Sequence, residues 1–217
     1  MNNDEIIHQT ADYIKNKMLG EGSGHDWWHI YRVWKNALHI GLDEKADMFV
    51  VELAALLHDI ADWKFHDGND DIGPQMARSW LEKLAVEETV IAHVCQIIKD
   101  VSFKGAGVST NMKTIEGKVV QDADRLDAIG AVGIARTFAY GGSKSREIYN
   151  PDIKPIVHAS FEEYKNSISP TLNHFYEKLL LLKDLMNTST AKNMAEHRHQ
   201  IMEDFLAEFY QEWEGNA

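Results

Sequence analysis

The chain of 217 residues has little of what marks secreted, membrane or nucleic-acid-binding proteins. Its one cysteine, Cys95, excludes an intrachain disulfide and favours a reducing cytoplasmic location. Its amino terminus has no basic region followed by an apolar run, so we expect no signal peptide. No apolar stretch approaches the roughly 18 residues of a membrane span. Because phosphate neutralisation needs a basic surface, the net charge of −12 argues against non-specific nucleic-acid binding.

Proline is also scarce, with four in the chain, and alternating β-type patterns are nearly absent. Long proline-free segments place apolar residues at three- and four-residue spacing, which predicts helices. We expect Asp26 and Asp43 to cap helices and Gly130 to interrupt one. The predicted helices span about 4–19, 26–39, 44–62, 72–85, 87–101, 113–139, 170–187 and 190–213. The sequence therefore predicts an all-α fold, one domain over residues 1–217 with a helical C-terminal extension from about residue 188.

Three segments of the predicted helices place ionisable side chains among apolar residues. They are residues 25–33 (HDWWHIYRV), 53–62 (LAALLHDIAD) and 119–130 (VVQDADRLDAIG). Imidazole and carboxylate groups at core-facing positions are costly unless they are paired or bound to a cation. Three such segments in one chain suggest that they meet at a shared site.

The His58-Asp59 dipeptide is the most informative of the three His-Asp dipeptides in the chain. His25-Asp26 lies at a helix start, and His66-Asp67 lies in a polar loop. His58-Asp59 instead ends the apolar run 53–57, where a buried pair needs a partner. His29 alone reads as an ordinary helix residue, but beside His58-Asp59 it becomes a second candidate imidazole ligand.

The third segment carries three carboxylates, Asp122, Asp124 and Asp127. They are either a surface acidic patch with Arg125 as internal partner, or the source of a fourth ligand. Their small and apolar neighbours argue against full exposure. Two imidazoles and two carboxylates suit a divalent transition metal with open positions for water and substrate, which predicts a metal-dependent hydrolase.

The ordered pattern His29, His58-Asp59 and Asp124 resembles the H…HD…D signature of HD-domain metal-dependent phosphohydrolases. The flanking text HDWxHxxRV, LHDIxDxK and DADRLDAIGA is similar to a bacterial subgroup of small stand-alone members that includes nucleotide pyrophosphohydrolases. The resemblance covers roughly residues 1–187. It implies one ion (Mn, Co, Fe, Ni, Zn or Mg) held by His29, His58, Asp59 and Asp124, and a catalytic acidic residue at Asp62.

Basic residues near these motifs are candidates for binding the phosphate of a substrate. Lys64 lies two residues past Asp62 and is the preferred candidate. Lys104 and Arg136 are further ones, although each alone resembles a solvated surface charge. The glycine-bearing segment 141–157 is long enough to form a lid.

The sequence thus predicts hydrolysis of a nucleotide or other small phosphate ester, including release of pyrophosphate from a nucleoside triphosphate. Two alternatives stay open: a non-catalytic sensor of metal and nucleotide, and a helical interaction protein. For the second, the aromatic residues Phe205, Phe209, Tyr210 and Trp213 suit either a homodimer face or ordinary core packing.

Overall fold

A computed structural model of the chain describes residues 1–18, 26–61, 71–101, 112–156 and 169–216. The described residues are helical and contain no strand, which confirms the predicted all-α class. Within these ranges no helix is both long and apolar enough to cross a membrane. The α-helices are α1 (Asn3–Lys17), α2 (Trp27–Asp43), α3 (Met48–Leu57), α4 (Ile72–Lys83), α5 (Glu88–Val101), α6 (Ile115–Asp127), α7 (Gly130–Ser143), α8 (Asn173–Glu177) and α9 (Ser189–Trp213), with a 3₁₀ helix at Leu179–Leu185.

Backbone contacts divide the described residues into two compact units. Unit 1 comprises residues 1–18, 26–61, 71–101 and 112–124, and unit 2 comprises residues 125–156 and 169–216. The unit boundary falls inside α6, directly after Asp124. The single domain with an extension from about residue 188 stays a prediction.

The centre of unit 1 is α3, which packs against α1, α2 and α5. Seven of its ten residues are buried: Val50, Val51, Leu53, Ala54, Ala55, Leu56 and Leu57. A helix that is apolar on nearly all sides belongs in the interior, so the sequence of α3 explains its central position. Residues at its carboxyl end are thereby held inside the unit.

The junction of α2 and α3 differs from the prediction in two ways. The helix predicted over about 26–39 is longer than expected, because α2 continues through Gly41 to Asp43. Gly41 instead allows close packing, since a Cβ there would lie 2.9 Å from Met48 Sδ. The expected cap at Asp43 is wrong as well, because Asp47 caps α3 by accepting from the Phe49 amide at 3.0 Å.

In unit 2 the predicted interruption at Gly130 is confirmed, because α7 begins there. Gly130 has φ +74°, which favours glycine, and a Cβ at this position would lie 2.9 Å from Arg198 Cβ. Arg198 belongs to α9, and α9 packs against α7 and the 3₁₀ helix. Unit 2 is therefore organised around its long last helix.

The continuous helix predicted over 170–187 is wrong. It is replaced by the short α8 and the 3₁₀ helix, with a break at Lys178 (φ −145°, ψ −56°). Within the 3₁₀ helix the buried leucines are Leu179 and Leu182. Their spacing of three residues matches the three residues per turn of a 3₁₀ helix, so tertiary burial favours this form over the α-helical propensity of leucine.

The C-terminal aromatic residues form a cluster within unit 2. Tyr149 contacts the rings of Phe209, Tyr210 and Trp213 at centroid distances of 5.9, 5.5 and 5.0 Å. This packing within the chain uses the residues considered for a dimer face. Residues 141–143 of the predicted lid belong to α7, and the lid itself stays a prediction.

Candidate metal centre

His29 is presented by the first turn of α2. Asp26 caps this helix, and its Oδ1 accepts a hydrogen bond from the His29 amide at 2.9 Å, as the sequence predicted. The His29 side chain is 2% exposed, on a face that also buries Val33 and Ile40. The apolar spacing of α2 therefore directs this imidazole into unit 1.

His58 and Asp59 follow α3 directly, with His58 at its C-cap position. His58 Nδ1 lies 2.8 Å from the Ala55 carbonyl oxygen. A carbonyl oxygen only accepts, so Nδ1 carries a proton, and in the neutral ring Nε2 keeps its lone pair. This Nε2 is buried and has no hydrogen-bond partner within the described part of the chain. A buried imidazole nitrogen in this state is prepared to bind a cation.

Asp124 belongs to α6, and its side chain differs in exposure from the two neighbouring carboxylates. Asp122 and Asp127 are buried, whereas the Asp124 side chain is 34% exposed. Asp124 Oδ1 lies 3.5 Å from His29 Nε2 and 3.9 Å from His58 Nε2. The interpretation of the segment as a surface acidic patch is therefore wrong for Asp122 and Asp127.

The four side chains meet within unit 1. Asp59 Oδ2 lies 3.4 Å from His29 Nε2 and 3.6 Å from His58 Nε2. The two imidazole rings are 5.4 Å apart between centroids and inclined by 68°. One ligand atom from each of His29, His58 and Asp59 lies within 4.8 Å of the other two.

These distances fit a shared divalent ion better than direct ion pairs. Nitrogen and oxygen donors about 2.1 Å from one ion lie about 3 to 3.5 Å apart when they are adjacent. Hydrogen bonds between the same groups need about 2.7 to 3.2 Å. The cluster of His29, His58 and Asp59 can thus hold a metal ion, and Asp124 is placed beside it.

Of the remaining predicted site residues, Arg136 alone lies in the described part of the chain. Asp62, Lys64 and Lys104 lie outside the described residues. Arg136 lies in unit 2, where its Nη1 donates to Asp127 Oδ2 at 2.6 Å. Asp127 thus has a partner from α7, and Arg125 Nη1 donates to the Leu185 carbonyl.

The sequence interpretation missed a supporting residue, Asn36. Its Nδ2 donates to the Ala123 carbonyl at 3.4 Å, next to Asp124. Asn36 follows His29 by seven residues and so lies on the same face of α2. A polar residue at buried-face spacing was the available signal. This contact links the helix that carries His29 to the helix that carries Asp124.

Two buried imidazoles beside two partly exposed carboxylates, presented by helices, form an arrangement that is typical of helical proteins with a metal site. A family model for the HD domain matches residues 27–129, which include all four side chains. YpgQ of Bacillus subtilis, an uncharacterized protein, is 40% identical over 199 residues, covering 91% of this chain and 89% of YpgQ. The chain belongs to the HD-domain family, as the sequence motifs predicted.

Solved structures support the same assignment. An HD-superfamily hydrolase from Bacillus thuringiensis is 46% identical with a TM-score of 0.78, covering 98% of this chain and 99% of that one. Bacillus subtilis YpgQ in complex with ADP is 38% identical with a TM-score of 0.76, covering 97% of this chain and 100% of YpgQ. The chain therefore has the fold of HD-superfamily hydrolases.

Proposed function

We propose that the protein is a metal-dependent phosphohydrolase that acts on a nucleotide or another small phosphate ester, with nucleoside triphosphate pyrophosphohydrolysis as one form of this activity. The observation that carries the proposal is the buried Nε2 of His58, which faces carboxylate oxygens of Asp59 and Asp124 at 3.6 and 3.9 Å. Holding these polar groups away from water costs free energy, and a bound cation offsets that cost.

His29, His58, Asp59 and Asp124 are the residues that would hold the ion. When bound, a divalent ion supplies positive charge to a phosphoryl group and acidifies a water molecule. That charge matters in a chain with a net charge of −12, because the acidic surface otherwise repels a phosphorylated substrate.

The chain's own groups orient this chemistry. The Ala55 carbonyl fixes the ring of His58 through Nδ1, and the Asp26 cap fixes the first turn of α2 below His29. Asp124 is the most exposed of the four side chains, so we place the side from which substrate approaches beside it.

Asp62 is the proposed general acid or base, on the strength of the family resemblance and its position three residues after Asp59. A carboxylate there can orient the attacking water or pass a proton to the leaving group. Lys64, Lys104 and Arg136 remain proposed phosphate contacts. A nucleotide is the favoured substrate class because the related YpgQ was crystallised with ADP.

The test is a panel of nucleotides, pyrophosphate and simple phosphate esters, assayed with Mn²⁺, Co²⁺, Mg²⁺ and Zn²⁺ in turn. We expect hydrolysis that chelation abolishes and that Asp59→Ala removes together with metal binding. Activity that survives both chelation and Asp59→Ala would contradict a metal-centred reaction. A wild type that binds ADP but hydrolyses nothing in the panel would favour the sensor alternative.

Asp62→Asn separates catalysis from binding. It keeps the shape of the side chain and removes its basicity, so turnover should fall by roughly 10²–10⁴ while metal affinity persists. Calorimetric titration of metal, beside turnover measured on both proteins, checks this. Unchanged turnover would remove Asp62 from the mechanism.

A further inference from the structure

The outer face of α2 carries exposed aromatic rings directly beside the candidate metal centre. Trp28 is 59% exposed and Tyr31 is 36% exposed. Their rings are 5.9 Å apart and nearly perpendicular, at 80°. Trp28 directly precedes His29, so an exposed indole stands next to a buried candidate ligand.

Helix geometry orders the side chains around α2. Each residue advances about 100° around the axis. Relative to His29, Arg32 projects about 60° to one side and Trp28 about 100° to the same side. Lys35 follows at about 120°. The order from the metal centre outwards is therefore His29, Arg32, Trp28, Lys35, which places cationic groups on both sides of the indole.

The side chains of Trp28, Tyr31, Arg32 and Lys35 form a stripe along the outer face of α2, and the charge of this helix differs in sign from that of the whole chain. Residues 27–42 contain Arg32 and Lys35 and no acidic residue, although the whole chain has a net charge of −12. The Lys35 Nζ lies 5.4 Å from the Tyr31 ring centroid and 5.0 Å from that of Trp34. Glu52 of α3 accepts from Trp34 Nε1 at 2.9 Å and so adjoins Lys35, which leaves Arg32 as the cation between Trp28 and the metal centre. An aromatic ring beside a guanidinium complements an anionic ligand with a flat ring.

The size of the exposed patch favours a small ligand over a protein partner. Trp28 and Tyr31 together expose on the order of 200 Å², given that aromatic side chains bury about 150–250 Å² each. A stable protein interface needs about 800 Å² from each partner. One indole face matches the area of one nucleobase.

We propose that Trp28 stacks on the base of a nucleotide and that Arg32 contacts the phosphates between that base and the metal centre. This inference rests on the proposed function and adds to it the residues that select a nucleotide over a phosphate without a base. Stacking on a ring is tolerant of base identity, so the subsite recognises nucleotides as a class.

The experiment compares ADP with inorganic pyrophosphate, which lacks a base. Calorimetric titrations are run on the full chain with Mn²⁺ at a concentration that saturates the wild type. Trp28→Ala should weaken ADP binding about 5- to 100-fold and leave pyrophosphate binding unchanged. Trp28→Phe should restore most of the ADP affinity. Arg32→Met should weaken both ligands.

Trp213→Ala is the matched control, since Trp213 is 49% exposed and lies in unit 2. It should leave both affinities unchanged. Thermal denaturation of each variant verifies that unit 1 is folded, and Trp28→Phe provides a second variant if Trp28→Ala unfolds.

Equal loss of ADP and pyrophosphate affinity in Trp28→Ala would overturn the stacking role. So would an unchanged ADP affinity accompanied by a change in oligomeric state, which would identify the stripe as a face between copies. These binding outcomes are independent of the proposed activity, because hydrolysis is measured separately on the substrate panel. The proposed activity is contradicted only if no substrate in that panel is hydrolysed.

Discussion

In unit 1 the ligand atoms of two imidazoles and two carboxylates lie 3.4 to 3.9 Å from one another, whereas three arginine side chains of unit 2 pair at hydrogen-bonding distance. In unit 2, Arg136 donates to Asp127 at 2.6 Å, Arg125 donates to the Leu185 carbonyl, and Arg198 donates to the Leu126 carbonyl. Each of these three guanidinium groups has a partner within the same unit. The imidazoles and carboxylates of unit 1 instead converge on one another at the spacing of metal ligands.

This difference separates polar groups that pair within the fold from polar groups that can hold a metal ion. A satisfied internal pair contributes to stability with no ligand present. A cluster of ligand groups has a cost in the absence of a cation and recovers it on binding. The two units should therefore respond differently to metal, to loss of one polar partner and to pH.

The largest expected effect is in unit 1. Addition of Mn²⁺ should raise the thermal midpoint of the wild type, since ligand at 100 times its Kd adds about 2.7 kcal/mol of stability. His58→Ala removes a buried ligand nitrogen, so it should abolish this rise of the thermal midpoint. We expect it to reduce metal affinity by more than the about 10- to 100-fold typical of an outer-sphere partner.

Differential scanning calorimetry with and without metal checks this expectation. Asp127→Asn is the matched control in unit 2, and it should keep the full metal-dependent gain although its starting midpoint is lower. A His58→Ala protein that metal still stabilises as much as the wild type would show that the cluster does not hold the ion.

The second effect concerns the Arg136–Asp127 pair. The Asp127 side chain is 2% exposed, and Arg136 is 27% exposed. Asp127→Asn removes the carboxylate charge from this ion pair, so it should cost about 3 kcal/mol of unfolding free energy. Urea denaturation of Asp127→Asn, Arg136→Met and the double variant measures the coupling between the two side chains.

The same series tests Arg136 as a phosphate contact. A structural role predicts that Arg136→Met lowers stability with little change in KM. A raised KM with unchanged stability would assign Arg136 to substrate binding and would weaken the contrast between the units.

The α6 carboxylates show where sequence reasoning succeeds and where it stops. Apolar neighbours indicated that the segment of Asp122, Asp124 and Asp127 is not an exposed acidic face, and the structure agrees. Asp124 and Asp127 are three residues apart and so share a helical face, yet Asp124 approaches the histidines and Asp127 pairs with Arg136 of α7. That choice depends on which helices pack nearby, and local spacing carries no such information.

The helix boundaries also depend on tertiary contacts that local sequence does not show. Strong periodicity predicted α1, α2, α4, α5 and α9 to within a few residues. The predicted end of α2 at residue 39 is too early, because Gly41 lies inside the helix and allows close packing against Met48. Local propensity also misled at the leucine run 179–182, where burial of two leucines three residues apart selects a 3₁₀ helix. In both places a tertiary contact overrides local propensity.

The third effect is a response of unit 2 to acid. Burial, with Lys178 and Arg146 nearby, lowers the pKa of His174 to about 3 from its usual 6.5. The folded chain therefore keeps this imidazole neutral between these values, while the unfolded chain protonates it below pH 6.5. Stability should fall as the pH falls from about 6.5, by at most about 1.4 kcal/mol per pH unit from this group.

Urea denaturation at pH 7 and pH 5 measures this slope. His174→Gln cannot take up the proton, so it should flatten the slope between these two conditions. An identical slope in both proteins would show that His174 is protonated as readily in the folded chain as in the unfolded one.

The smallest effect compares two helix caps of the same geometry. Asp26 Oδ1 accepts from the His29 amide at 2.9 Å, and Thr188 Oγ1 accepts from the Ala191 amide at 3.2 Å. Each cap satisfies the third amide of its helix, so Asp26→Ala and Thr188→Ala should each cost about 1 kcal/mol. Only the first also loosens the turn that presents a candidate ligand.

Asp26→Ala should therefore weaken metal binding by up to about fivefold, the equivalent of 1 kcal/mol, whereas Thr188→Ala should leave it unchanged. Competition with a fluorescent chelator measures both affinities. Asp26→Asn keeps a capping oxygen without the charge, so it should restore metal affinity if the cap acts by orienting His29. If Asp26→Asn binds metal as weakly as Asp26→Ala, the negative charge of Asp26 acts on the ion directly. Equal metal affinity in all four proteins would show that the first turn of α2 is held by packing alone, because the buried face of Ile30 and Val33 then suffices to position the imidazole.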